Sequence, residues 1–94
     1  MGAEPAFTLG IEEEYLLVDV NTLELANDPP ASLLDDCQKL SGKQIAPEFL
    51  RSQVEVGTKV CTNISEARED LTHLRRIIVD VAATHGLAPI AAST

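Results

Sequence analysis

Three consecutive glutamates, Glu12 to Glu14, lie within a segment from Phe7 to Val18 in which apolar residues recur at alternate positions. That alternation predicts an extended strand. Successive side chains of a strand point to opposite faces at about 3.3 Å per residue, so Glu12 and Glu14 are expected on one face, about 6.6 Å apart. Glutamate is disfavoured in strands, and like charges close together destabilise a sheet. A pair of carboxylates in this position is a candidate cation site.

A second predicted strand, Ile45 to Thr58, is interrupted by Pro47 and alternates again in its second half. The apolar residues of that half share a face suited to the core; they are Leu50, Val54 and Val56. Arg51, Gln53 and Glu55 are therefore expected on the opposite face. Glu55 becomes a candidate third carboxylate.

The three glutamates converge if the two strands are neighbours with their apolar faces aligned. Glu12, Glu14 and Glu55 would then lie on the face of the sheet that carries no helix. Carboxylate oxygens are hard ligands that suit Mg²⁺, which is often shared with nucleotide phosphates. The alternative is that the glutamates lie on a solvated face and only keep the strand soluble, since exposed charges are common. The pattern alone leaves both interpretations open.

The order of elements predicts an α+β fold. A turn and a short returning strand, Thr22 to Leu25, are expected after the first strand, and Ala31 to Leu40 is compatible with a helix. Leu87 to Ala92 predicts a closing strand. The expected architecture is a mixed or mostly antiparallel sheet with two helices packed on one face.

The best-marked helix begins after Asn63, which is expected to cap the first turn while the side chain of Glu66 reaches back to it. The helix is expected to run to His85, with Gly86 in the left-handed conformation that follows many helices. Its apolar residues recur at intervals of three or four, which predicts that they pack on the sheet. They are Ile64, Ala67, Leu71, Leu74, Ile78 and Val81. The charged residues around them, including Asp70 and Arg75, are typical of a solvated helix face.

Composition narrows the classes of partner. The 94 residues fit one domain, and aromatic residues are only 3% of them, so the core must be built from aliphatic side chains. A formal charge of −8 argues against nucleic acid and anionic membranes, which would repel the chain. The first residues resemble no secretory signal, and no apolar run is long enough to span a bilayer, so a cytoplasmic location is expected. Cys37 and Cys61 are too far apart to suggest a zinc motif, and both are expected as reduced, partly buried thiols.

Two blocks of sequence resemble the glutamate–cysteine ligase family, in particular the bacterial YbdK-type carboxylate-amine ligases. The first block is Thr8 to Asp19, and the second is Leu50 to Thr58, followed by Val60-Cys61 and the helix start Glu66-Ala67-Arg68. The blocks occur in the order and spacing of the family. Because the resemblance covers only the first part of a typical member, residues 1–94 are expected to be the N-terminal part of a single catalytic domain, inactive without the remainder.

The resemblance implies a fold and a chemistry. The sheet would be part of a glutamine-synthetase-like catalytic sheet, and Glu12, Glu14 and Glu55 would bind Mg²⁺. Such ligases transfer the γ-phosphoryl group of ATP to a substrate carboxylate, and an amine then attacks the acyl phosphate to form an amide. The glutamates would act as metal ligands and not as general bases, so no catalytic residue is assigned.

The expected partners are ATP, a small amino-acid or carboxylate substrate and an amine. Arg51 and Gln53 are candidate substrate-binding residues on the same face, with a counter-ion role for Arg51 as the alternative. Glu13, on the other face, is expected to pair with a basic residue where the sheet meets a helix. Self-association into a homo-oligomer is also expected, because an incomplete sheet exposes apolar surface.

Two other functions fit the same sequence. The first is a non-enzymatic acidic module that binds a divalent cation or a protein partner. The second is a small βαβ-type regulatory or assembly domain whose glutamates are only surface charge, and which would not respond to Mg²⁺.

Overall fold

The computed structural model of the protein describes residues 8–26, 29–47 and 52–91. In chain order the elements are β1 (Glu12–Asp19), α1 (Ala31–Ser41), β2 (Ile45–Pro47), β3 (Gln53–Gly57), α2 (Ile64–Thr84) and β4 (Leu87–Ala91), with a 3-10 turn at Gly42–Gln44. The strands form one four-stranded sheet in the order β2-β3-β1-β4, and each neighbouring pair is antiparallel. The predicted α+β class with an antiparallel sheet is confirmed. In the described ranges, neither helix is both long and apolar enough to cross a membrane.

The core lies between the sheet and the two helices. Tyr15 and Leu17 of β1 are buried on the same side as Val54 and Val56 of β3. The helices contribute the other large side chains of the core, among them Leu33, Cys37, Leu71, Leu74, Ile77 and Ile78. Since alternate residues of a strand face opposite ways, the even-numbered residues of β1 and the odd-numbered residues of β3 lie on the face without helices. That face carries Glu12, Glu14 and Glu55.

The ends of α2 follow the sequence prediction closely. The backbone N–H of Glu66 donates to Oδ1 of Asn63 at 2.8 Å, which is the predicted N-cap. The carboxylate of Glu66 accepts a hydrogen bond from the Thr62 hydroxyl at 3.1 Å, one residue before the expected partner. Gly86 has a φ of 71°, the left-handed conformation predicted after the helix.

The apolar stripe of α2 differs from the prediction at its first turn. Ile64 is 62% exposed, whereas Ile77 and Ala82 are buried together with the predicted residues from Ala67 to Val81. Ile64 is the first residue of the helix. The second half of α2 therefore buries more residues than the predicted spacing of three or four includes.

The prediction of one long strand from Ile45 to Thr58 is wrong. The segment forms two antiparallel strands, with Ile45 opposite Val56 and Pro47 opposite Val54. Proline has no N–H with which to continue a ladder, and β2 ends at Pro47. The connection at 48–51 lies outside the described residues.

The predicted returning strand after β1 is also only partly formed. Leu25 makes an isolated antiparallel bridge with Val18, and the described residues from 20 to 26 form no strand. The turn itself is held by Asp19, whose Oδ1 accepts the backbone N–H groups of Asn21 and Thr22 at 2.8 and 3.0 Å. An acidic residue that satisfies two turn N–H groups is the turn chemistry expected from the sequence.

Candidate metal and substrate site

The structure places the three glutamates on the face without helices and pairs two of them directly. Glu14 is directly opposite Glu55 in the antiparallel pairing of β1 with β3, and Glu12 is opposite Gly57. Glu55 also pairs across its other edge with Ala46 of β2. The carboxylates thus come from the two inner strands. Glu55 is paired on both sides, whereas the described pairing of β4 with β1 begins at Tyr15, so Glu12 and Glu14 are paired with β3 alone.

An open groove of about 420 Å³ lies beside these residues. Its lining consists of Glu12, Lys43, Gln44, Ala46, Glu55, Gly57 and Thr58. The groove therefore combines two carboxylates with one ammonium group. Glu14 is outside the lining but is the cross-strand neighbour of Glu55, which is part of it.

The donor chemistry of this face suits a hard cation. In the parts of the chain that the structure describes, no three His, Cys, Asp or Glu side chains lie close enough together to hold one ion. The arrangement of Glu14 opposite Glu55 offers a pair of carboxylates. Mg²⁺ commonly binds through one or two carboxylates and completes its shell with water and substrate phosphates. A pair of glutamates therefore suits Mg²⁺ better than a cation whose ligands must all come from the protein.

Of the two predicted substrate-binding residues, the structure describes Gln53 but not Arg51. Gln53 is opposite Leu16 on β1 and half-buried, two residues along the strand from Glu55 and on the same face. Its side chain is therefore next to the carboxylates, as the sequence predicts. Arg51 lies outside the described residues.

Thr58 anchors the start of the strand that carries Glu12. Its Oγ1 accepts the backbone N–H of Ile11 at 2.8 Å, and its own N–H donates to the Ile11 carbonyl at 2.9 Å. The pairing of β1 with β3 thus continues past Gly57. Glu12 therefore follows Ile11, whose backbone N–H and carbonyl are both hydrogen-bonded to Thr58.

A hydrogen-bond network behind the groove connects three parts of the fold. The Gln44 amide donates to the Gly57 carbonyl at 3.2 Å and to Oδ2 of Asp70 at 2.9 Å. The same oxygen of Asp70 accepts the backbone N–H of Lys59 at 2.9 Å. The sequence suggested that Asp70 lies on a solvated helix face, but its carboxylate accepts these two hydrogen bonds. It ties α2 to the 3-10 turn and to the end of β3.

Glu13 points to the helix side, away from the groove. The Arg75 guanidinium donates through Nε to Oε1 of Glu13 at 2.8 Å and through Nη2 to its other oxygen. The Tyr15 hydroxyl also donates to Glu13 and accepts from Arg75 Nε at 3.2 Å. The hydrogen bond from Arg75 lowers the pKa of Glu13, partly opposed by burial. The predicted basic partner of Glu13 is confirmed. Arg75 is exposed, as predicted for the solvated face of α2, and also pairs with Glu13.

The two cysteines are free and fully buried. Burial raises the pKa of the Cys37 thiol to about 11, and the negative charge of Asp36 adds to the effect. A thiol with so high a pKa is protonated near neutral pH and is a poor nucleophile. The expectation of reduced structural thiols is consistent with this environment.

Comparison with known proteins places the chain in a family. The sequence profile of glutamate–cysteine ligase family 2 matches residues 8–94. The chain belongs to that family. The match covers both blocks of resemblance, the four strands and both helices, so the family expected from the sequence is confirmed.

Several relatives in this ligase family are about 50% identical to the chain over the aligned residues. A protein of Rhodospirillum rubrum is 55% identical over an alignment of 95 positions, which covers 97% of this chain and 24% of that protein. A Jannaschia protein is 55% identical over 87 residues, or 93% of the chain and 23% of the relative. A Chloroflexus aurantiacus protein is 47% identical over 92 residues, which are 98% of this chain and 23% of the relative. All three bear the name "Putative glutamate--cysteine ligase 2". The chain spans about a quarter of the length of these relatives.

Proposed function

We propose that the chain supplies the Mg²⁺-binding face of an ATP-dependent carboxylate-amine ligase of the glutamate–cysteine ligase type. The observation that carries the proposal is the cross-strand pairing of Glu14 with Glu55, with Glu12 on the same face. Family membership supports the ligase class. The names of the relatives favour glutamate as the acid and cysteine as the amine. A cytoplasmic location is part of the same proposal.

The proposed reaction has two steps. The substrate carboxylate attacks the γ-phosphorus of ATP, so that a bond forms between a carboxylate oxygen and that phosphorus while the bond from the phosphorus to the departing ADP oxygen breaks. The amine nitrogen then attacks the acyl carbon, the bond from that carbon to the phosphate oxygen breaks, and the nitrogen loses a proton, which gives the amide and inorganic phosphate. Both steps bring anionic groups together and depend on positioning and charge neutralisation.

In this scheme the glutamates are ligands. Glu14 and Glu55 would hold one Mg²⁺ between the two inner strands, and Glu12 would contribute from the same face. The bound ion supplies charge neutralisation for phosphate and carboxylate oxygens. Gln53 and Arg51 would contact the phosphate or the substrate carboxylate. Glu13 takes no part, because its carboxylate is paired with Arg75.

The metal assignment is tested by thermal unfolding of the chain with EDTA and with millimolar Mg²⁺. A ligand that binds only the folded state raises stability by RT ln(1 + [L]/Kd), so a rise in Tm is expected. The double variant Glu12→Gln with Glu14→Gln should lose that rise. Glu69→Gln, a matched substitution at an exposed position of α2, should keep it. An equal rise in all three proteins would show that the glutamates are not the ligands.

The activity is tested in a full-length protein that contains this sequence. ADP release should require Mg²⁺, the acid and the amine together, and Glu55→Gln should reduce it by about 10²-fold or more, as for the loss of a group that stabilises the transition state. Mg²⁺ binding without any acid- and amine-dependent ADP release would instead favour the non-enzymatic acidic module.

A further inference from the structure

We propose that Lys43 binds an anionic oxygen group of a substrate, either phosphoryl or carboxylate, within the groove that Glu12 and Glu55 line. The inference rests on the proposed ligase function and assigns a substrate-contacting role to a residue outside both sequence blocks. Neither the alternation of the strands nor the family resemblance indicated it. Lys43 lies in the 3-10 turn between α1 and β2.

The first argument is the distribution of charge. Lys43 is exposed and lines the same groove as Glu12 and Glu55. A cation bound at the glutamates and the ammonium group of Lys43 would both present positive charge to the groove. An anion in the groove would be attracted by both. Lysine commonly serves as a compact positive charge for phosphate and carboxylate oxygens.

The second argument is that the turn is fixed before any ligand binds. Gly42 has a φ of 64°, a left-handed conformation that glycine adopts without strain, and its N–H donates to the Gln38 carbonyl at the end of α1. On the other side of Lys43, the Gln44 amide is held by Gly57 and Asp70. The backbone of Lys43 therefore lies between two constrained residues. Such preorganisation reduces the conformational entropy lost on binding.

A counter-ion role for Lys43 predicts different behaviour. If the ammonium only offsets the charge of Glu12 and Glu55, its removal strengthens Mg²⁺ binding, because a like charge has left the site. The affinity for anionic substrates at saturating Mg²⁺ would then be unchanged. The two roles are thus separated by measuring the metal and the anions independently.

The experiment is steady-state kinetics of the full-length protein at saturating Mg²⁺, comparing wild type, Lys43→Met and Lys59→Met. Lys59 is a matched control, because it is an exposed lysine close to the groove but is not part of its lining, and its contact with Asp70 is made by the backbone. Lys43→Met should raise the KM for ATP or for the acid by about tenfold or more, as expected for a lost charge-assisted hydrogen bond. The KM for the amine should not change. Lys43→Arg should recover most of the loss.

The identity of the affected substrate tells the source of the anion. A raised KM for ATP assigns Lys43 to a phosphate, and a raised KM for the acid assigns it to the substrate carboxylate. Unchanged KM values for both, or the same change in Lys59→Met, would overturn the proposal. Tighter Mg²⁺ binding with no effect on either anion would show the counter-ion role instead.

Failure of the ligase proposal is distinguishable from failure of this inference. Wild-type protein without ATP-dependent turnover contradicts the ligase function, whereas active protein that is insensitive to Lys43→Met contradicts only the role of Lys43. Calorimetric titration with inorganic phosphate and with glutamate, in the presence of Mg²⁺, gives a readout that needs no turnover. Tenfold weaker binding of one probe by Lys43→Met supports the anion site, and equal binding of both probes by wild type and variant, or none by either, rejects it.

Discussion

Glu14 of β1 and Glu55 of β3 are cross-strand partners on the two inner strands of the sheet. Residues so paired have Cβ atoms about 4.5–5.5 Å apart, close enough for their charges to repel each other. The pairing therefore has an electrostatic cost that a bound cation would offset. The repulsion can be measured by substituting either of these two glutamates.

Glu55→Gln should stabilise the fold when divalent cations are absent. Like charges directly opposite each other destabilise a sheet, so the free energy of unfolding should rise by roughly 0.2–1 kcal/mol in urea denaturation with EDTA. Glu69→Gln, on the exposed side of α2, should change it less. A loss of stability in Glu55→Gln under these conditions would contradict the repulsion. With millimolar Mg²⁺ the order of wild type and variant should reverse.

The ionisation of Tyr15 should report on Glu13 and Arg75 with opposite signs. Burial raises the pKa of Tyr15 above its usual value, the hydrogen bond with Glu13 raises it further, and Arg75 lowers it. Because the chain has one tyrosine and no tryptophan, phenolate absorbance can be followed without overlap. Glu13→Gln should lower the Tyr15 pKa, and Arg75→Met should raise it. Shifts of the same sign in both variants would show that the three side chains do not interact as the structure describes.

Glu13 should contribute to acid sensitivity. Its pKa is lower in the folded protein than its usual value of 4.5, so its stabilising effect is complete above that value and is lost as the pH falls through the folded pKa. Arg75 is 50% exposed, so solvent screening should keep the effect below about 1 kcal/mol. In chemical denaturation from pH 6 to about pH 2, wild type should lose more stability than Glu13→Gln. Glu24→Gln, at an exposed position, should follow wild type.

Both thiols should resist alkylation in the folded protein. Cys37 and Cys61 have no exposed surface, and the pKa of Cys37 is about 11. Mass spectrometry after iodoacetamide treatment at about pH 8 should show no label on the native chain and two labels in urea. Rapid labelling of native protein at either cysteine would mean that this part of the core opens readily.

The Asn63 cap should account for a measurable share of α2 stability. Asn63→Ala removes the acceptor for the Glu66 N–H and should lower the free energy of unfolding by about 1 kcal/mol. Asn63→Asp retains an acceptor at the same position and should behave like wild type. Equal losses in the two variants would indicate that the side-chain acceptor contributes little.

Local patterns were sufficient to predict the features that depend on neighbouring residues. The cap at Asn63 and the turn at Gly86 follow from residue types next to a helical apolar stripe. Strand alternation placed Glu12, Glu14 and Glu55 on one face. It also placed Glu13 toward the core side, where a carboxylate needs a basic partner, and Arg75 provides it.

Features that depend on distant residues were not predictable from one sequence. The extended character of Ile45 to Thr58 could not show that the chain reverses there and pairs with itself. The pairing of Glu14 with Glu55 requires a register between strands that are far apart in sequence. Gln44 and Asp70 meet across 26 positions, and each has a side chain that is typical of solvent-exposed surface. The groove was missed for the same reason, because Lys43 reaches it only through the fold.

The outer strands of the sheet each carry a proline. In the described part of the chain β2 and β4 are the two outer strands, and they contain Pro47 and Pro89. Neither residue has an N–H to donate, so a further strand aligned along either side would meet an interrupted row of donors. The sheet is thus a poor template for fibril growth by strand addition, and copies of this chain that associate would do so more favourably through side chains on a face of the sheet than through its backbone.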